Sequence, residues 1–208
     1  MSIPEVGKKI RVTVPSTTAN LGPGFDCLGA ALDLYNEFIF TRIEGGGDRF
    51  DLIMESTDGN HLRGGPENLV FRAAQKVWES ANMDPFALEA RVKLAVPPAR
   101  GLGSSATAIV AGLIGANAII NSPLPKEKLL ELAIDIEGHP DNVVPSLLGG
   151  LCLTARSSSQ RWRRRPGCQA KPTKKRGYYI IRMSFYVNGK FKEFFFGQWR
   201  VHYCICSD

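Results

Sequence analysis

Pro97-Pro98-Ala99-Arg100-Gly101-Leu102-Gly103-Ser104-Ser105-Ala106 is the stretch on which the fold of this chain turns. Before it, Leu88 to Val96 alternates apolar and polar residues, the pattern of a strand. After it, Ser104 to Ile120 is small and apolar almost all round, which predicts a helix buried inside the domain. Glycines between the two let backbone approach an anion closely, and the first N–H groups of a helix have no partner of their own. Together with the macrodipole those donors favour phosphate, and a serine hydroxyl at the helix start can reach a magnesium ion bridging phosphates.

Taken alone, the loop permits several readings. Its glycines also satisfy G-x-G-x-x-G/A, the fingerprint of dinucleotide-binding folds. That fold wants the glycines directly after the first strand and an acidic residue about 20 positions on. Here Pro97-Pro98 intervene and Ile119-Ile120-Asn121 stand at that distance. The lysine of the G-x-x-x-x-G-K-[ST] loop is missing too. A glycine-rich helix cap with no ligand is the remaining alternative.

Outward from the loop, α and β patterns alternate. Ile10 to Val14, Glu37 to Ile43 and Phe50 to Met54 read as strands, with Gly45-Gly46-Gly47-Asp48 as a hairpin turn between the last two. Pro66 opens a helix through Ser80 with Leu69, Val70, Ala73, Ala74 and Val77 on one face. Pro123 and Pro125 separate the buried helix from an amphipathic one over Lys126 to Glu137. A short helical turn at Val143 to Leu148 and a strand beginning at Leu151 follow.

Bulk properties divide the chain at Ala155. The net charge of +6 conceals a balance of −5 over residues 1–155 and +11 over residues 156–208, and four of five tyrosines lie in the second part. Arg161 to Arg165 and Lys171 to Arg176 are charge runs that no sheet interior accepts, so the strand is expected to break at Arg156. Beyond them, Tyr178 to Tyr186 and Lys190 to Phe196 form a candidate hairpin around Asn188-Gly189. The 44% apolar content suffices for one good core. No run of about eighteen apolar residues suggests a membrane helix, and Met1 to Arg11 lacks the apolar stretch of a secretory signal. Cysteines 27, 152, 168, 204 and 206 are odd in number and lack C-x-x-C spacing, so reduced thiols and a cytoplasmic location are expected.

Two further constellations give the loop a context. Pro15 to Asp26 is turn-rich, with Asn20 and Asp26 bracketing Gly22-Pro23-Gly24. Glu131, Asp135 and Glu137 ride the amphipathic helix into Gly138-His139-Pro140-Asp141-Asn142. Glu131 and Asp135 lie one turn apart, and a solvated face accounts for Asp135.

In this order and spacing, Asn20-Leu21-Gly22-Pro23-Gly24-Phe25-Asp26, the Pro97 to Ala106 loop and Glu137-Gly138-His139-Pro140-Asp141-Asn142-Val143 resemble the motifs of homoserine kinases in the GHMP kinase superfamily. The resemblance covers roughly residues 8–155. It implies an α+β domain like that of ribosomal protein S5, which binds ATP and Mg2+. The activity it implies is transfer of the γ-phosphoryl group of ATP to the side-chain hydroxyl of L-homoserine, a step of threonine biosynthesis.

By motif position, Pro97 to Ala106 (Pro97, Pro98, Ala99, Arg100, Gly101, Leu102, Gly103, Ser104, Ser105 and Ala106) would bind ATP. Ser105 would ligate the metal together with Glu131, which stands ten residues before Asp141; Glu137 is the rival. Asn20 and Asp141 would contact the amino-acid end of the substrate, and Asp26 and Asn142 would line the reacting side. Asp141 and Asn142 are thus the expected catalytic pair, Asp141 acting by orientation first. His139, ahead of a proline, reads as structural.

Nothing from Arg156 to Asp208 matches the second domain that such kinases carry, with its third glycine-rich motif and substrate-binding arginines. Residues 1–155 are therefore expected to form the ATP-binding domain, and residues 156–208 a basic, aromatic tail from a shifted reading frame or mis-joined gene. Two alternatives stay open: an ATP-binding remnant without turnover, and a nucleic-acid-binding protein acting through the tail. Neither nucleic acid nor membrane is the expected partner. A homodimer is among the expectations, through a strand edge left uncovered.

Overall fold

A computed structural model describes residues 3–47, 49–55, 61–64, 68–95, 101–157, 177–183, 185–187 and 190–192. Nine strands and four helices are described. They are β1 (Lys9–Ala19), β2 (Leu28–Gly46), β3 (Phe50–Glu55), β4 (His61–Gly64), α1 (Leu69–Ser80), β5 (Phe86–Lys93), α2 (Ser104–Ile119), α3 (Lys126–Glu137), α4 (Pro140–Leu148), β6 (Leu151–Ser157), β7 (Gly177–Met183), β8 (Phe185–Val187) and β9 (Lys190–Lys192). The expected α+β class holds: one large sheet is ordered β4-β3-β5-β2-β6-β7, with β1 also on β2.

β2 is the spine of that sheet. It runs antiparallel to β1 along most of its length, to β6 over Leu28–Ala30 and to β5 from Glu37 onward. Between Pro15↔Tyr35 and Thr17↔Ala31 the register breaks, with Leu32, Asp33 and Leu34 opposite the single residue Ser16. Such a bulge bends the pair where the site begins.

The glycine turn at 45–48 does reverse the chain, but β2 and β3 do not become a hairpin. β5 lies between them, antiparallel to β2 and parallel to β3. Phe86, Leu88, Ala90 and Val92 are all buried along β5, so this strand takes the interior place. Turn chemistry fixes where a chain reverses; burial decides which strand is the neighbour.

The helices pack on the sheet around Phe38, Phe40, Phe71, Trp78 and Phe86. α1 starts at Leu69 because the side chain of Asn68 accepts from the N–H of Val70 at 2.8 Å. α2 is buried almost all round, as its composition predicts. Its glycines set how close the neighbours come: a Cβ at Gly112 would lie 2.5 Å from the Val70 carbonyl oxygen, and one at Gly115 would lie 2.2 Å from the Phe40 ring.

Two readings near the carboxyl end are revised. The strand does not break at Arg156 but continues to Ser157, with Arg156 opposite Tyr178 of β7. Only Leu151, Cys152 and Leu153 are bonded to β2, so Arg156 pairs beyond the sheet interior. The predicted tail hairpin divides: Gly177–Met183 joins β6, while Phe185–Val187 and Lys190–Lys192 pair with each other. Residues 188–189, the proposed turn, lie outside the described residues.

Candidate active site

α2 begins without a cap. Gly103 stands at the N-cap in the left-handed conformation, and no side chain bonds to the helix start. The first intrahelical bond runs from the Thr107 N–H to the Gly103 carbonyl at 2.9 Å. The N–H groups of Ser104, Ser105 and Ala106 have no partner among the described residues, the arrangement that favours an anion. Gly101 also has a positive φ, of 70°. Pro97, Pro98, Ala99 and Arg100 lie outside the described residues.

The loop is fastened to the end of β1 by Thr17. Its N–H donates to the Leu102 carbonyl at 3.2 Å, and its hydroxyl donates to Asn142 Oδ1 at 2.9 Å. Gly103 passes so close that a Cβ there would stand 2.0 Å from Thr17 Oγ1. Thr17 is fully buried, so both contacts are made away from water.

Asn142 and Asp141 belong to the first turn of α4, which starts earlier than the Val143 turn expected from the sequence. Pro140 occupies the first helical position, where its missing N–H costs nothing. A second proline, Pro145, cannot donate to the Asp141 carbonyl four residues back. Gly29 of β2 packs against that same carbonyl, within 1.7 Å of where its Cβ would be. The starts of α2 and α4 therefore meet on Thr17, beside the strand that follows the Asn20–Asp26 loop.

Asp141 is 4% exposed, and its carboxylate makes no hydrogen bond or ion pair among the described residues. Asn20 and Asp26 are exposed at the rim, both with positive φ, and Asn20 Oδ1 accepts from the Asp26 N–H at 2.8 Å. Phe25 between them is 74% exposed. His139 is the N-cap residue of α4 and makes no side-chain cap bond.

The two candidate glutamates separate clearly. Ser105 Oγ donates to Glu137 Oε2 at 2.5 Å, linking the start of α2 to the last residue of α3. Glu131 is exposed and pairs with Lys128 at 3.2 Å. Six residues of helix put the two on different faces. By position Glu137, the rival, is the glutamate beside Ser105. Among the described residues no group of three or more His, Cys, Asp or Glu gathers as a metal site.

Sequence reasoning missed Thr17 and Asn36. Thr17 sat within a stretch read as ordinary loop, yet the β-rich run Ile10 to Val14 continues through it. Asn36 is 1% exposed in β2 and bonds to Ser16, Thr107 and Ala95. Asn36 stands among Asp33, Glu37 and Arg42 in the sequence, so nothing marked it as the buried polar residue of the strand.

Comparison with known proteins follows the same motifs. Residues 68–150 match the family described as GHMP kinases N terminal domain. Homoserine kinase of Prochlorococcus marinus (strain MIT 9301) is 99% identical over 163 residues, 78% of this chain and 52% of the relative. That of Parasynechococcus marenigrum (strain WH8102) is 77% identical over 163 residues, again 52% of its length. The chain thus spans about half the length of the curated relatives it matches. Among solved structures, homoserine kinase from Cytophaga hutchinsonii superposes with a TM-score of 0.63 at 29% identity, over 74% of this chain and 50% of that one. Mevalonate kinase of Methanococcus jannaschii shares the fold, with a TM-score of 0.57 at 16% identity over 70% and 53% of the two chains.

Proposed function

Because this chain belongs to the GHMP kinases through their N-terminal domain, we propose that it carries the ATP-binding half of a homoserine kinase. In the reaction, the side-chain hydroxyl oxygen of L-homoserine bonds to the γ-phosphorus of ATP, the bond from that phosphorus to the β–γ bridging oxygen breaks, ADP leaves, and the hydroxyl proton is lost. Phosphoryl transfer asks mainly for positioning and charge neutralisation.

The observation that carries this reading is the meeting of the uncapped start of α2 with Ser105–Glu137 on one side and Thr17–Asn142 on the other. The free N–H groups of α2, with the Pro97 to Ala106 loop, hold the phosphates. Ser105 and Glu137 supply two hard oxygen donors on adjacent helix ends, which fits a magnesium ion that keeps part of its water shell. When bound, that ion neutralises charge on the phosphates. Asp141 orients the substrate through its ammonium group with Asn20, and Asn142 and Asp26 line the reacting side.

Residues 1–155 are the proposed ATP-binding domain and residues 156–208 a basic, aromatic tail, of which Gly177–Met183 pairs with β6. A cytoplasmic location accompanies the biosynthetic role. No helix among the described residues is long and apolar enough to cross a membrane. Self-association to a homodimer along an outer strand of the sheet is proposed with it, and light scattering after size exclusion tests that.

A coupled assay of ADP release, with and without L-homoserine, tests the activity. ADP release that rises only weakly with homoserine is expected. MgADP binding with no homoserine-dependent release would leave a nucleotide-binding remnant. Absence of both would refute the kinase reading.

A further inference from the structure

Asn36 makes three hydrogen bonds whose partners surround the proposed nucleotide loop. Its Oδ1 accepts from the Ala95 N–H at 2.8 Å. Its Nδ2 donates to Thr107 Oγ1 at 3.2 Å and lies 3.5 Å from Ser16 Oγ. A backbone N–H is a donor only, so the amide oxygen must face Ala95, and the NH2 group must face the two hydroxyls. The orientation of this amide is therefore determined by chemistry and not by choice.

Ala95 lies between β5 and the loop, and Thr107 lies in the first turn of α2, where its hydroxyl also donates to the Ser104 carbonyl at 2.9 Å. One buried side chain therefore grips the chain where it enters the loop and again where it leaves. Ser16 adds the neighbour of Thr17, which fastens the middle of the loop through Leu102. Resting on the reading of Pro97 to Ala106 as a nucleotide loop, we propose that Asn36 is a positioning residue for it. Asn36 fixes the separation between the end of β5 and the start of α2. That separation aims the free N–H groups of Ser104, Ser105 and Ala106.

The same helix contains a built-in control. Asn117, near the other end of α2, makes an equivalent clasp on Leu124: Oδ1 accepts from its N–H at 3.0 Å and Nδ2 donates to its carbonyl at 2.9 Å. Asn117 holds only the α2–α3 connection. Both asparagines are buried and both bridge a chain crossing, so loss of either lowers stability. Only Asn36 bears on the loop.

Asn36→Ala and Asn117→Ala in the whole chain are compared by amide hydrogen exchange at Thr107, whose N–H is bonded to the Gly103 carbonyl, and by titration with MgADP. Asn36→Ala is expected to speed exchange there about tenfold and to raise the MgADP dissociation constant by a similar factor, the size of one lost buried hydrogen bond. Asn117→Ala should leave both readouts within about twofold of the parent. If Asn36→Ala does not fold, Thr107→Val removes one of the three bonds and is read in the same way. Equal exchange at Thr107 in the two variants overturns the proposal, as does unchanged MgADP affinity in the Asn36 variant. If the unsubstituted chain takes no MgADP, the nucleotide reading itself fails, and the exchange comparison alone decides whether Asn36 holds the loop.

Discussion

Ser105 Oγ and Glu137 Oε2 stand 2.5 Å apart, although 32 residues of chain separate them. The second residue of α2 meets the last residue of α3 because Gly138, left-handed at φ 86°, ends α3 at that point. Truncating Glu137 to alanine is expected to weaken MgADP binding about tenfold or more, the range seen when a metal-site carboxylate is lost. Glu131→Ala should change it by less than about twofold, since an exposed ion pair contributes little. Calorimetric titration of both variants with and without Mg2+ checks this, and the reverse order would restore Glu131 as the metal-side glutamate.

Gly101 and Gly103 both have positive φ but differ in the room around them. At Gly101 an added Cβ meets nothing within 4 Å among the described residues, so Gly101→Ala should cost only backbone strain, about 1 kcal/mol. At Gly103 it meets Thr17 Oγ1 at 2.0 Å, so the same change should cost at least about 2–3 kcal/mol. Urea denaturation of the two variants measures the difference. Equal losses would mean that Thr17 does not hold the loop as described.

Gly115→Ala sets helix propensity against packing. Alanine gains about 1 kcal/mol over glycine in a helix interior. Its methyl group would stand 2.2 Å from the Phe40 ring, which is fully buried, and such overpacking costs about 1–3 kcal/mol. The clash should win over most of that range, with a net loss of up to about 2 kcal/mol. A rise in melting temperature would contradict the close approach of α2 to β2.

The hydroxyl of Tyr35 has its pKa raised, first by burial and then by the charge and hydrogen bond of Asp33. Folding therefore holds its proton more tightly than the unfolded chain does. The resulting stabilisation is fully present below the ordinary tyrosine value of 10.0 and is lost as pH rises through the higher folded value. Tyr35→Phe should flatten the fall in stability above pH 10 relative to the parent, as read from melting curves. An identical alkaline slope in the two proteins would count against the raised value.

Much of this architecture is legible in the residues because local rules and global packing agree there. Lys126–Glu137 and the buried α2 follow directly from apolar periodicity and composition, and Pro123 and Pro125 mark the gap between them. What could not be read is what depends on partners distant in sequence. Gly45 to Asp48 announces a reversal but carries no sign that β5 will enter between the two strands. Pro140 as the first residue of α4 was masked by the look of a loop in Gly138-His139-Pro140. Glu131 and Glu137 are indistinguishable as carboxylates until the helix turns one of them toward Ser105.

The central place of β2 also shapes how this chain comes to be folded. Its first half is completed by β6, so Ala30 waits for Leu151, some 120 residues later. At about 5–20 residues per second that interval lasts on the order of ten seconds. During it Leu28–Ala30 keep one edge of the strand open, and contacts so distant slow the search for the native pairing. The strand that organises the finished sheet is thus not complete until β6 has been made.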